Sequence, residues 1–212
     1  MLTKAYEGAL SSGSSKEKQA LTGWKDEQKI AALPKILSEA PVLPALQRYN
    51  GVGFQYLDTK TLTVSQYEYL ASHLIIFSNL LGPIRGGDMI PEIKLKQRVK
   101  FADVAMAKYY REHTSGALDR IIGDDHVLDL RAEIYKNYYT PKATVTECIF
   151  LQNGKRINHW SKAYRGLLLR FVSRDQPTSI EELLRMKTPG LKLLSHSKAG
   201  GLSVITYEAD KP

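Results

Sequence analysis

The sequence contains little of what several classes of protein are built from. Cys148 is the single cysteine among 212 residues, which excludes a disulfide framework and a zinc site made of cysteines. The longest apolar runs, such as residues 74–77, fall far short of the roughly 20 residues that span a membrane. The chain does not open with a basic and then apolar leader. We therefore expect a cytoplasmic protein that does not enter a membrane.

Motifs of catalysis and metal binding are also missing. The sequence has no glycine-rich phosphate loop, no HExxH motif and no nucleophile–base pair at motif spacing. Asp124-Asp125-His126 could offer metal ligands, but adjacent side chains point in different directions, and a loop is the better interpretation. Cys148 alternates with its neighbours in a strand pattern, so we expect a buried thiol rather than a peroxide sensor. We accordingly expect no catalytic residue, no metal and no cofactor.

The order of local signals predicts an α/β or α+β fold. Hydrophobic residues make up 43% of the chain and charged residues 25%, which is globular composition and excludes disorder. Strand and helix patterns interleave and hairpins are added, so we expect one domain with a mixed sheet flanked by helices. Residues 1–45 are predicted to form a helical amino-terminal segment. Residues 46–212 are predicted to form the α/β part of the same compact unit.

Individual elements follow from caps and turns. Ser14 with Glu17, Asp26, and either Thr63 or Thr61 are predicted amino-terminal helix caps. Asn153-Gly154 predicts a hairpin between strands 143–151 and 155–158. Residues 46–49 resemble a short strand. Residues 93–99 alternate, which predicts a strand with Lys94, Lys96 and Arg98 on one face.

Positive charge is the compositional anomaly. The formal net charge is +8, and two stretches hold the surplus: residues 85–111 carry seven Lys or Arg against three acids, and residues 152–174 carry six and no acid. Clustered cations favour an anionic partner, although charge runs are often simply solvated.

A helix predicted over about 159–174 separates its charge from its apolar residues. Lys162, Arg165 and Arg170, with His159, fall on one face, and an apolar face lies opposite. Gly166 lies inside the basic face and costs about 1 kcal/mol relative to alanine. Either a partner approaches the helix backbone there, or Gly166 packs under another element of the fold.

Several ordered blocks of the chain resemble one bacterial family. They are Tyr49-Asn50-Gly51-Val52, residues 74–91 (LIIFSNLLGPIRGGDMIP), Lys94-Leu95, residues 128–135 (LDLRAEIY) and Lys162-Ala163-Tyr164-Arg165-Gly166. In order and spacing they are similar to the YaaA family of peroxide-stress proteins, over about residues 46–207. The amino-terminal strand of that family, with its Ser-Pro-(Ala/Ser)-Lys/Glu phrase, has no counterpart here. Either the start is truncated or this member has lost the strand, and the sheet is then expected to have an unprotected edge.

The resemblance implies a YaaA-like α/β fold with a positively charged cleft, binding to DNA, and a role in peroxide tolerance and in limiting free iron. It carries DNA binding over to the basic residues of the matching blocks, and charge geometry adds three more positions. The implied residues are Arg85, Lys94, Arg131, Lys162 and Arg165. The added residues are Lys96, Arg98 and Arg170.

Two functions are weighed at this point. The first is a non-catalytic DNA-binding protein of the oxidative stress response that contacts phosphates with little base specificity, on duplex, distorted or single-stranded DNA. The alternative is an enzyme on a nucleotide or phosphorylated small molecule, with Lys162, Arg165 and Arg131 as phosphate clamp and Asp129 or Glu133 as acid/base. For Asp129 and Arg131 themselves, we prefer a salt bridge at a strand-to-helix junction. A basic scaffold for a protein partner is a third option.

Overall fold

The structure is a computed structural model that describes residues 1–157 and 160–210. Its helices are α1 (Leu2–Ser12), α2 (Ser15–Thr22), α3 (Glu27–Ala31), α4 (Ala45–Arg48), α5 (Val52–Leu57), α6 (Val64–His73), α7 (Met106–Ile122), α8 (Glu133–Lys136), α9 (Ser161–Asp175) and α10 (Ile180–Arg185). Its strands are β1 (Val42–Pro44), β2 (Ile75–Ser78), β3 (Gly82–Arg85), β4 (Met89–Pro91), β5 (Val127–Asp129), β6 (Val145–Gln152), β7 (Lys155–Arg156), β8 (Leu191–Ala199) and β9 (Leu202–Ala209). This is the mixed α/β architecture that the sequence predicts. In the described part of the chain, no helix combines the length and the apolar character that crossing a bilayer requires.

A mixed sheet forms the centre of the fold. Its strands lie in the order β5-β6-β9-β8, with β5 and β9 parallel to β6 and β8 antiparallel to β9. The short strand β7 pairs with the end of β6 through the predicted hairpin, where Asn153 and Gly154 both have positive φ, as a type I′ turn requires. Asn158, at the end of the predicted hairpin strand, lies outside the described residues.

Helices α9 and α10 pack on one face of this sheet. Phe150, Tyr164, Leu168, Ile205 and Tyr207 are buried together in the core between them. This packing fixes the position of α9, the helix with the basic face, relative to β5 and β6.

The amino-terminal helices share a second core with later parts of the chain. Tyr6 and Leu10 of α1 pack with Leu80, Tyr110 and Tyr138. Ser14 and Glu17 form the predicted capping box of α2, Asp26 caps α3 and Thr63 caps α6. Residues 1–45 contain α1, α2 and α3 and also the strand β1, and the three helices share their core with later parts of the chain.

The strand predicted over residues 93–99 is wrong. The segment forms no strand ladder and turns at residues 97–98, where Arg98 has a positive φ. The Lys96 amide donates to the Leu21 carbonyl at 2.8 Å, and the Lys94 amide to the Tyr6 hydroxyl at 2.9 Å. Its alternation is satisfied by packing on helices, because Leu95 is buried in the amino-terminal core. The Lys94 ammonium lies over the Trp24 ring, 5.5 Å from its centre.

The strand predicted over residues 46–49 is also wrong. Residues 45–48 form the helical turn α4, which buries Leu46 completely and is held by a hydrogen bond from the Leu46 amide to the Gly86 carbonyl, 2.9 Å. A single turn has too few residues to display a helical period, so its buried residues resemble a strand in the sequence.

Candidate nucleic-acid interface

The junction between β5 and α8 holds a closed ion pair. Asp129 ends β5 with its side chain 3% exposed, and both of its oxygens accept from Arg131, at 2.9 and 2.7 Å. The Arg131 guanidinium also donates to the carbonyls of Tyr135 and Tyr139 and lies over the Phe77 ring. This is the salt bridge that we preferred for the junction, and it turns Arg131 inward.

The electrostatics of Asp129 follow from this pair. Burial alone would raise the pKa of the carboxyl, but the hydrogen bonds and the charge of Arg131 outweigh burial, so the pKa lies below its usual value. An aspartate that stays ionised and has both oxygens occupied is poorly suited to act as a general acid or base. Glu133, the other predicted acid/base, has its side chain 83% exposed and lies 3.5 Å from Lys136.

Helix α5 covers the middle of the basic face of α9. Gly166 is buried, and a Cβ placed on it would overlap the backbone carbonyl of Gly53. A Cβ on Gly53 would in turn lie 3.2 Å from the Lys162 carbonyl. Of the two explanations for Gly166, packing under another element is therefore the correct one.

This crossing separates the three predicted cations of α9. Arg170 points to the carboxyl end of α5 and donates to the carbonyls of Leu57 and Asp58, 2.8 and 3.1 Å, and to the Thr61 hydroxyl, 2.8 Å. Its guanidinium is thus used to close the end of a helix whose last carbonyls otherwise lack donors. His159, placed on the same face by the sequence, lies outside the described residues.

Arg165 and Lys162 remain at the amino-terminal end of α9. Arg165 is half-buried and Lys162 is exposed, and neither side chain has a hydrogen bond or ion pair with another described residue. Burial lowers the pKa of Arg165; the charges of Asp129 and Glu133 raise it, and Arg156 lowers it again. Arg156, an exposed residue of β7, is therefore close enough to repel Arg165. Arg156 is not among the residues predicted to bind DNA, although it lies within the acid-free stretch 152–174.

The second basic stretch, residues 85–111, contacts the short helix α8 through Gln97. Gln97 donates to the Tyr135 hydroxyl of α8 at 3.1 Å, and its neighbours Lys96 and Arg98 are exposed. Arg165 acts on α8 through Glu133. Residues 96–98 and the start of α9 thus both approach α8. We call Lys96, Arg98, Arg156, Lys162 and Arg165 the α8-flanking cations.

Arg85 lies apart from this group. It is exposed at the end of β3 and borders a cavity of about 190 Å³. A second cavity, of about 250 Å³, lies among the amino-terminal helices. Among the residues described, neither of these two cavities is lined by an α8-flanking cation.

Tyrosines that could stack on bases are mostly internal. Tyr138 and Tyr139 are buried, and the half-buried Tyr135 donates its hydroxyl to Asn79 at 3.1 Å. The hydroxyl of Tyr49 is a buried side-chain polar atom that has no hydrogen-bond partner in the described structure, and no pattern in the sequence indicates it. Burial raises the pKa of Tyr49, and the nearby Ser78 hydroxyl opposes that rise.

The described residues do not form a reactive cysteine site or a metal site that includes histidine. Burial raises the pKa of the Cys148 thiol to about 12, so it is protonated at neutral pH and is a poor nucleophile, as expected for a structural cysteine. His126 points to Thr146, 2.6 Å away. No group of three metal-ligating side chains converges within residues 1–157 and 160–210.

Comparison with known proteins places the chain in a family. Residues 3–196 match the family model described as "Peroxide stress protein YaaA". An uncharacterised protein of Campylobacter jejuni is 39% identical over 190 residues, which is 90% of this chain and 77% of the relative. A UPF0246 protein of Streptomyces coelicolor is 27% identical over 81% of this chain and 72% of its own length.

The chain belongs to the YaaA peroxide stress protein family, which the sequence blocks had indicated. That membership supports a role in the oxidative stress response.

Proposed function

We propose that this protein binds DNA through the phosphate backbone, with little base specificity, as its contribution to the oxidative stress response. Coating of DNA would limit its exposure to iron-dependent oxidative damage. The proposal is supported by the basic surface and by membership of the family.

One observation supports the proposal: none of the α8-flanking cations has a side-chain hydrogen bond or an ion pair with a described residue, although the charges of Asp129 and Glu133 act on Arg165. An exposed salt bridge contributes little to the stability of a protein. Neighbouring cations without an ion pair repel one another. A polyanion removes this repulsion and releases its own counterions, which makes binding favourable.

The geometry also explains why base readout is not expected. The α8-flanking cations are all Arg or Lys. Among the eight predicted residues, Arg131 and Arg170 make the most hydrogen bonds, and they make them to internal carbonyls and to Asp129. Phosphate contacts position a protein on DNA but carry no sequence information directly.

The enzyme alternative finds less support in the same geometry. Its clamp requires Arg131, which is held by Asp129, and its acid/base requires either that occupied carboxylate or the exposed Glu133. We therefore propose binding and not catalysis.

A charge-removing double variant tests the proposal. Lys162→Ala/Arg165→Ala should lower the affinity for a 20-base-pair duplex at least ten-fold, roughly in line with the loss of two phosphate contacts. Fluorescence anisotropy at low salt measures this. The matched control is Lys60→Ala/Lys187→Ala, which removes two exposed charges close to Arg170 and Arg174, about 8–18 Å from Lys162 and Arg165 along the axis of α9, and should leave affinity within two-fold. Equal affinity of the two double variants would contradict the proposal.

A further inference from the structure

The chain contains two tryptophans, and they lie in different environments. Trp24 packs against the amino-terminal core, and the Lys94 ammonium lies 5.5 Å from the centre of its ring. Trp160, the residue that precedes α9, is 47% exposed and is not packed against any hydrophobic core of the described residues. Tryptophan is highly buried on average in folded proteins, so Trp160 presents an unusually large apolar ring to solvent.

The indole of Trp160 has no partner in the part of the chain that the structure describes. Within residues 1–157 and 160–210, no ring stacks on it, no cation lies over it and no group accepts a hydrogen bond from its Nε1. Its backbone is fixed, because the Trp160 carbonyl accepts from the Tyr164 amide at 3.2 Å and Tyr164 is buried between α9 and the sheet. A free aromatic ring therefore lies at a defined place on the surface.

The residues around Trp160 in the chain are cationic. It lies in the acid-free stretch 152–174, shortly after the exposed Lys155 and Arg156 and two residues before the exposed Lys162. The first turn of α9 contains no acid, so the partial positive charge of the helix amino terminus adds to these cations. A single exposed apolar residue is common on protein surfaces, but an aromatic ring combined with cations is typical of surfaces that bind single-stranded nucleic acid.

We propose that Trp160 stacks on an unpaired base, and that the preferred ligand of this protein is therefore DNA with a single-stranded segment. This inference rests on the proposed DNA binding and deepens it. The α8-flanking cations bind phosphates, and the indole binds the face of a base. Because a base inside a duplex is already stacked on both sides, only an unpaired base can reach the ring. Every base has such a face, so stacking adds affinity with little base specificity.

The test compares two 20-nucleotide single strands of equal charge, one of thymidines and one of abasic sites, using the full chain and fluorescence anisotropy. The thymidine strand should bind about ten-fold more tightly, as expected from the stacking of one base. Trp160→Ala should reduce this ratio to within two-fold. The same variant should leave the affinity for a fully paired 20-base-pair duplex within two-fold of the wild-type value.

Further variants separate the indole from other apolar surface. Ile121→Ala truncates another exposed apolar side chain, on α7, and should preserve the ratio of the two affinities. Trp160→Phe keeps an aromatic ring and should give a ratio between those of wild type and Trp160→Ala. Trp24→Phe leaves Trp160 as the only tryptophan, and the thymidine strand, but not the abasic strand, should quench its fluorescence.

The outcomes are distinguishable. Equal affinity of the wild-type protein for the two strands, or binding to the duplex alone, would overturn the stacking inference and leave the proposed DNA binding intact. A preference for thymidines that survives in Trp160→Ala would assign the stacking to another residue and overturn this site. Absence of binding to both strands and to the duplex would overturn both proposals.

Discussion

At the scale of single residues, charge in the sequence proved a poor guide to where charge is available. Arg131, Arg165 and Arg170 are all among the predicted DNA-binding residues, yet Arg131 closes an ion pair, Arg170 closes a helix end and Arg165 has no hydrogen bond or ion pair in the described structure. The sequence could suggest the Asp129–Arg131 pair, because the two residues are neighbours. It could not suggest Arg170 with Asp58, because their contact depends on how α5 crosses α9.

The buried pair at the junction leads to a prediction on stability. Asp129→Asn removes the charge that Arg131 faces, and an uncompensated buried guanidinium costs about 3 kcal/mol or more. Urea unfolding at pH 7 should show that loss, whereas Asp125→Asn, in the exposed loop before β5, should change stability by less than about 0.5 kcal/mol.

The same pair predicts the dependence on pH. Since the folded protein holds the pKa of Asp129 below its usual value, the carboxylate stabilises the fold above its ordinary pKa, and this contribution is lost as the pH falls through the lower, folded value. The difference in stability between wild type and Asp129→Asn should therefore shrink as the pH is lowered from 7 towards 3. A difference that is constant or grows would show that the charge of Asp129 is not what stabilises the junction.

At the scale of elements, the sequence predicted the helix caps and the hairpin turn, which depend on neighbouring residues. The caps at Ser14, Asp26 and Thr63 and the turn at Asn153-Gly154 are formed by residues within a few positions of one another. The prediction of a strand over 93–99 was wrong. Alternation indicates that every second residue is buried, but it does not indicate whether a strand or a set of helices buries that residue.

Replacing a glycine by alanine should change stability in opposite directions at two positions, Gly166 at the crossing of α5 over α9 and Gly116 in α7. Gly166→Ala places a Cβ against the Gly53 carbonyl and should destabilise the protein by about 2 kcal/mol, a typical cost of overpacking. Gly116→Ala, in the interior of α7, has only the flexible end of Arg120 near its Cβ, at 3.8 Å, and should stabilise it by about 0.5–1 kcal/mol. Thermal unfolding of both variants decides this; stabilisation by Gly166→Ala would mean that the two helices are not in contact there.

At the scale of the whole molecule, the fold class followed from the sequence, and the arrangement of the basic surface did not. Two basic stretches were evident as counts, but only the structure shows that residues 96–98 and the start of α9 both approach α8. Arg156 joined the group because the β6–β7 hairpin folds it back beside Arg165. Arg85 is not part of this group; it ends β3, which pairs with β2 in a separate two-stranded sheet.

The α8-flanking cations therefore come together only in the folded chain, and we propose that they bind the phosphates of DNA together. The measurement that tests it most directly is the salt dependence of binding to a 20-base-pair duplex. Five cations that each neutralise about one phosphate predict that log K_obs falls with log [salt] with a slope of about −4 to −5, roughly a 500-fold loss of affinity between 50 and 200 mM salt. A slope close to zero, with binding still detectable, would contradict phosphate neutralisation by this surface.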